Sequence, residues 1–446
     1  MNTNLNFESL FDSAYKSVLG KNVDFRESIS FSTEVFDSAA VPQAPQEQYE
    51  LQRALRPIFG KQGINRWPIG THPNFINLEN TDGEIQNHYT CTVFVDIKGS
   101  TRLSLLYPLE KVFKFKNAVI KTCIEVIRAL DGHVHRIMGD AVMAFFAQGD
   151  GDKEDSIGNV INCSVALRMM LEEGIKPWME KQGFEGKDFA FRVGCDFGDD
   201  EQVLWGSYGY VGVGEVSATG LQVDMASKLQ GLANKNQTML GQSILEYIDF
   251  PDAYSRVKTV ERDGKLIENP FVTPNLTKND GSPLNYAMKL IQYEKFIELS
   301  PLPISAREKI TQRNVIGNPL IEYKCYIVNE GKQREEYISV SKFLEKRVSI
   351  EFKVSVVTSN RISFPLSVSF VKTNYGKEAR DNNEEKTYLP VTKTIYNASS
   401  RYLHLSKQYV SIDESTLYRG LHTMMCVVSE SGGRIIFRDW VGVMIK

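Results

Sequence analysis

The chain has 446 residues, 42% of them hydrophobic and 24% charged, with a formal charge of −3. That is ordinary globular composition with room for two or three domains, and the near-neutral balance argues against a nucleic-acid-binding surface. No apolar run approaches the ~20 residues that span a bilayer, and residues 1–6 lack the basic and apolar regions of a secretory signal, so a cytoplasmic protein that works away from membranes is expected.

Residues 1–85 mix short helical stretches with Pro42, Pro45, Pro57, Pro68 and Pro73 and close on the polar run from Asn80 to Glu84. This pattern suggests an N-terminal extension used for packing or dimerisation. From 86 to 300, strand-like and helix-like segments alternate, which argues for an α+β domain with helices covering a sheet. The first strand runs through Val93-Phe94-Val95 into Asp96 and a turn, Ile97-Lys98-Gly99-Ser100-Thr101. Val112, Phe115, Val119, Cys123, Val126 and Leu130 then recur at helical spacing with charges between them, the mark of an amphipathic helix. A second strand, Ala141 to Phe146, follows Gly139-Asp140.

Asp96 and Asp140 carry the chemical signal. An acid at the rim of an apolar strand is costly unless it is paired or bound to a cation. Two such acids beside a small-residue turn fit a divalent ion held partly by protein oxygens and partly by a triphosphate. Gly99-Ser100-Thr101 can present backbone N–H groups to phosphate at a helix start. His133 and His135 alternate along the strand leading to Asp140, but alternation brings no third ligand, and a structural role is expected. The six cysteines, Cys91, Cys123, Cys163, Cys195, Cys325 and Cys426, are scattered, mostly within apolar runs, and are expected to be core thiols.

A helix is expected near Ser156 to Glu173, a strand at Phe189 to Cys195, a hairpin-like Gly-rich stretch at Leu204 to Val216 and a helix near Thr219 to Leu232. A Pro- and Asn-rich excursion, from Asn269 to Pro283, precedes the end of the domain. Residues 301–320 look like a linker. Residues 321–446 carry several short strands without helical pattern, as in a β-sandwich-like module.

Three blocks, Phe94 to Thr101, Gly132 to Ala141 and Gly220 to Leu229, occur in an order that resembles the class III nucleotide cyclases. The resemblance implies that Asp96, Asp140 and the Ile97 carbonyl bind two Mn²⁺ or Mg²⁺ ions per active site. It implies that Lys98, Gly99, Ser100 and Thr101 hold the triphosphate. Purine cyclases carry Asn and Arg, four residues apart, where this chain has Asp224 and Lys228. Spacing four places both on one helical face, where Lys228 could face the phosphorus and Asp224 a ribose hydroxyl, or the two could form an ordinary surface pair.

At the base-reading positions stand Arg136 and Ser217, matching neither purine code. This pairing, with the β-rich tail, resembles the pyrimidine (uridylate or cytidylate) cyclases of bacterial Pycsar antiphage defence. A donor-only Arg slightly favours UTP over CTP, though it could also bond cytosine N3 and O2. Tyr89, seven residues before Asp96, is a candidate to stack on the base or bond it through its hydroxyl. A bland reading makes Arg136 a surface cation beside Asp131 or Glu125, and Ser217 a helix cap.

The resemblance further implies a homodimer with sites shared between subunits, a cyclic nucleotide product that activates a separate effector, and a C-terminal sensor. Competing readings are an adenylate or guanylate cyclase, a non-catalytic nucleotide-binding regulator of the same fold, and another two-metal nucleotidyl transferase.

Overall fold

The computed structural model describes residues 5–19, 49–79, 81, 83–148, 151–210, 213–329, 333–397 and 407–446. Pro42, Pro45, Asn80 and Asp82 lie outside the described residues. Among the described residues no helix is long and apolar enough to cross a membrane.

The larger part of the chain is built on a seven-stranded sheet. Its strands run in the order His133–Met138, Ala141–Phe146, Thr90–Lys98, Ala190–Gly198, Gln237–Gly241, Met288–Ile291 and Ser255–Arg256. Thr90–Lys98 pairs antiparallel with both neighbours, which sets Asp96 directly between Ala141 and Arg192. Period-2 alternation divides its side chains: Cys91, Val93, Val95 and Ile97 enter the core beneath the helices Leu109–Ala129 and Lys153–Met170, whereas Phe94 joins Val223 and Ala226 of the helix Leu221–Leu232 on the opposite face. That last helix lies flush on the sheet. A Cβ on Gly194 would fall 2.1 Å from the Gln230 nitrogen and 2.3 Å from the Ala226 oxygen, so only glycine admits this approach.

The expected amphipathic helix spans Leu109–Ala129 and buries Val112, Phe115, Val119, Cys123 and Val126. The helix Phe7–Leu19 packs Phe11 against Phe115 and Trp178, and the Trp178 indole donates to Asp12 at 3.0 Å. These N-terminal residues therefore share the main core rather than standing apart from it. All six cysteines are buried and unpaired, as their surroundings in the sequence suggest.

The C-terminal strands form two sheets, of four and five strands, closed over one core that includes Cys325, Phe352, Val354, Phe370, Cys426 and Val428. Residues 301–320, expected as a linker, instead carry a helix, Ile304–Ile310. Arg307 on that helix donates to Asp439 at 2.8 and 3.0 Å and fastens it to the last strand. Between the seven-stranded sheet and the sandwich lies Lys153–Met170, a helix buried on nearly all sides. Its Asp155 accepts from the Phe343 amide at 2.6 Å, and its Asn162 donates to the Val340 carbonyl at 2.7 Å.

Candidate active site

Asp96 and Asp140 meet because of strand register. Met138 pairs with Ala141 across a two-residue turn of Gly139 and Asp140, and Ala141 pairs with Asp96. The Ile97 amide donates to the Asp140 carbonyl at 3.1 Å, closing the gap between strand and turn. A strand residue's C=O points to the same side as its N–H, so the Ile97 carbonyl also faces the Asp140 turn. Both acids are partly exposed. Asp140 accepts from the Ser100 hydroxyl, and Asp96 accepts from Arg192, Nε to Oδ2, at 2.8 Å. Two carboxylates and a carbonyl form an all-oxygen donor set smaller than a full coordination shell, which suits a hard divalent ion completed by water and phosphate. Among the described residues no cluster of three or more His, Cys, Asp or Glu forms a closed metal site.

The turn after Asp96 is sharp. Gly99 has φ 87° and precedes the helix Ser100–Leu106, anchored by buried Leu103. Lys98 and Thr101 are exposed while Ser100 is buried, its hydroxyl already spent on Asp140. Lys98 is thus exposed on the same strand as Asp96, just beyond it.

Arg136 points to a partner other than the two expected on the bland reading. Asp131 is held by Arg56 and Lys61, at 2.6 and 2.7 Å, whereas Arg136 forks onto Glu215, with Nε 3.1 Å from Oε2 and Nη2 on Oε1. His135 approaches the same carboxylate, Nε2 standing 2.9 Å from Oε1 but off the line of a hydrogen bond. Both His133 and His135 rings contact the Gly70 carbonyl, at 2.9 and 3.0 Å, and burial lowers the pKa of each, His133 to about 4. Both rings thereby tie this strand to the segment around Gly70.

Ser217 does not cap a helix. It lies within the strand Val213–Thr219, opposite Gly206, and the cap position of Leu221–Leu232 is Gly220, with no side-chain cap bond. Ser217 shares a strand face with Glu215, the residue onto which Arg136 forks.

Asp224 and Lys228 project outward from Leu221–Leu232, away from Gln222, Val223, Met225, Ala226 and Leu229, which face the protein. No ion pair joins Asp224 to Lys228 among the described residues, so the surface-pair reading fails. They also point away from the sheet that carries Asp96. Tyr89 is misplaced in the sequence reading: it is 3% exposed, its hydroxyl donates to the Gln148 carbonyl at 2.8 Å, and it sits roughly 23 Å along the strand from Asp96. An odd separation in a strand also turns two side chains to opposite faces. Tyr89 therefore cannot stack on a base at this site.

Sequence reasoning missed Arg192 and Glu215. Each had a faint signal: a lone cation within the apolar run Phe189 to Cys195, and an acid two residues before Ser217.

Residues 292–446 match the family model described as the adenylyl/guanylyl and SMODS C-terminal sensor domain. The chain is 40% identical over 405 residues to a cytidylate cyclase of Escherichia coli, covering 90% of this chain and 88% of that protein. It is 34% identical over 400 residues to a cytidylate cyclase of Staphylococcus aureus, covering 89% and 88%. Among solved structures, the adenylyl cyclase CyaB from P. aeruginosa is similar at 18% identity and a TM-score of 0.38, over 47% of this chain and 95% of that one. The chain belongs to the class III nucleotide cyclases, and within them to the pyrimidine nucleotide cyclases.

Proposed function

We propose that the protein converts CTP to 3′,5′-cyclic CMP and pyrophosphate in a homodimer whose two active sites each draw residues from both subunits. One observation carries this reading: Asp96 and Asp140 converge within a chain, while Asp224 and Lys228 of the same chain face away from them. A second copy, placed about a two-fold axis, would return an outward Asp224 and Lys228 to each pair of acids. Exposed apolar residues give such a copy something to bury, with Tyr210 at 84% and Val213 at 82% exposure flanking a hairpin tip and Ile137 and Met138 nearby on the edge strand.

The chemistry forms a bond from the ribose O3′ to the α-phosphorus, breaks the bond to the leaving pyrophosphate, and releases the O3′ proton. Asp96, Asp140 and the Ile97 carbonyl would hold divalent ions, Mn²⁺ or Mg²⁺, which when bound lower the pKa of the attacking hydroxyl and offset charge on the leaving phosphates. Ser100 keeps Asp140 oriented. Lys98 and the Gly99–Thr101 backbone would grip the β- and γ-phosphates. Lys228 brings positive charge to the phosphorus as it becomes five-coordinate, and Asp224 accepts from a ribose hydroxyl to fix the sugar. Arg136 and Ser217 would meet the base edge.

The relatives are named cytidylate cyclases, which favours cytosine over the uracil preferred on Arg chemistry alone. UTP remains the second reading, supported by the donor-only character of Arg136. The family model's description as a sensor supports a perceiving role for the C-terminal module, with the cyclic product acting as a second messenger to a separate effector in antiphage defence.

Incubating the protein separately with the four nucleoside triphosphates and Mn²⁺, and weighing the products, tests this. Cyclic CMP from CTP as the main product supports it. No cyclic product from any nucleotide, a purine product, or oligonucleotides would each replace it with a different reading.

A further inference from the structure

The Arg136–Glu215 pair bridges two sheets. Arg136 stands on His133–Met138, an edge strand of the seven-stranded sheet, and Glu215 on Val213–Thr219, an edge strand of the three-stranded one. Neighbouring residues in a regular strand point to opposite faces, yet His135 and Arg136 both reach the same carboxylate. A shift of register between Val134 and Arg136 lets them do so. The His135 side chain is 1% exposed, Glu215 36% and Arg136 48%. Glu215 is thus backed by a buried ring and flanked by a guanidinium, with its outer lone pairs open to whatever enters between the sheets.

The hydrogen-bond inventory of this pair is asymmetric. Arg136 spends two of its N–H groups on Glu215 and keeps the rest, whereas each carboxylate oxygen can accept more than one bond. Side by side they present donors next to an acceptor. Cytosine offers the complement, an amino donor at position 4 beside acceptors at N3 and O2. Uracil offers an oxygen at position 4 and a donor at N3, so its O4 would face a carboxylate with no proton between them.

We propose that Glu215 determines cytosine specificity by accepting a hydrogen bond from the 4-amino group while Arg136 donates to N3 and O2. This rests on the cyclase reading above and deepens it. Arg136 alone separates the two pyrimidines only weakly, and toward uracil; the acid clasped to it sets the preference for cytosine.

The test compares kcat/KM of the full-length wild type, Glu215→Ala and Glu215→Gln on CTP, UTP and pyrimidin-2-one riboside triphosphate, which lacks only the 4-amino group. The wild type should lose roughly tenfold or more when the amino group is removed from the substrate. In Glu215→Ala that ratio should fall toward one, and Glu215→Gln, which can donate to O4, should shift preference toward UTP. Calorimetric binding of CTP and the amino-less analogue to Asp140→Asn, with and without Glu215→Gln, reads the same ratio without turnover. A wild type that cyclises CTP, with CTP-to-analogue ratios unchanged within twofold in both Glu215 variants, would overturn the assignment and leave the proposed function standing. A wild type that does not cyclise CTP overturns both.

Discussion

Arg192 lies directly across the strand pair from Asp96, with its Nε 2.8 Å from the Asp96 Oδ2. A fixed cation thus occupies part of the space in which the proposed metal ions would sit. Both side chains are partly exposed, so solvent screens the pair and its contribution to folding is modest. Its consequence is competition. Replacing Arg192 by Ala should lower, roughly tenfold, the Mn²⁺ concentration giving half-maximal thermal stabilisation, since the ion no longer displaces a guanidinium. Weaker Mn²⁺ binding in the variant would show that Arg192 supports Asp96 instead.

The turn that joins Asp96 to the backbone proposed to bind phosphate tolerates no side chain at Gly99. Its φ is 87°, and an added Cβ would meet the Asp188 carbonyl oxygen at 2.5 Å. Gly99→Ala should cost about 1–3 kcal/mol in stability and lower cyclase activity on CTP. Urea unfolding alongside product formation checks both. Normal activity in a fully folded variant would detach the turn from phosphate binding.

If each site takes Asp96 from one subunit and Lys228 from its partner, two dead chains should make one live site. A one-to-one mixture of Asp96→Ala and Lys228→Ala, dissociated and reassembled, should regain roughly a quarter of wild-type activity, because half the dimers are mixed and each has one intact site. Verified mixed dimers without activity would exclude the shared arrangement.

Asp196 gives stability a pH dependence that can be isolated. It is fully buried, accepts from the Tyr286 hydroxyl at 2.6 Å and the Phe197 amide at 2.9 Å, and burial pushes its carboxyl up to about 7. The folded chain binds this proton more tightly than the unfolded one. Its contribution to stability is therefore full below about pH 4 and is lost as pH rises to about 7, by at most about 1.4 kcal/mol per pH unit. Relative to Asp196→Asn, the wild-type Tm should fall between pH 5 and 7 and level off above. A difference in Tm that does not vary with pH would place the titration elsewhere.

Much of the catalytic layer was legible because its periodicities are local. The apolar run ending at Asp96, the helix over Leu109–Ala129 and the strand Ala141–Phe146 can all be read within windows of a few turns or pleats. Tyr89 shows a misreading the sequence could have prevented, since seven is odd and strand faces alternate. Glu215 was not legible in the same way. It meets Arg136 across 79 residues and between two different sheets, a juxtaposition that only tertiary structure creates. The sandwich strand Lys407–Ser415 is hard to read locally for a related reason: its sequence is polar-rich, and pairing across the sheet is what extends it.

The helix Lys153–Met170 belongs equally to both halves of the molecule. Its opening carboxylates hold the sandwich through Phe343 and Arg419, and Asp152 just ahead of it holds Lys446, while its apolar length lies under the strand that bears Asp96. Prising the sandwich loose would leave this rod greasy on one side and untethered at its tip. The two halves accordingly share a single load of buried surface, so neither can be lifted away without stripping this helix bare.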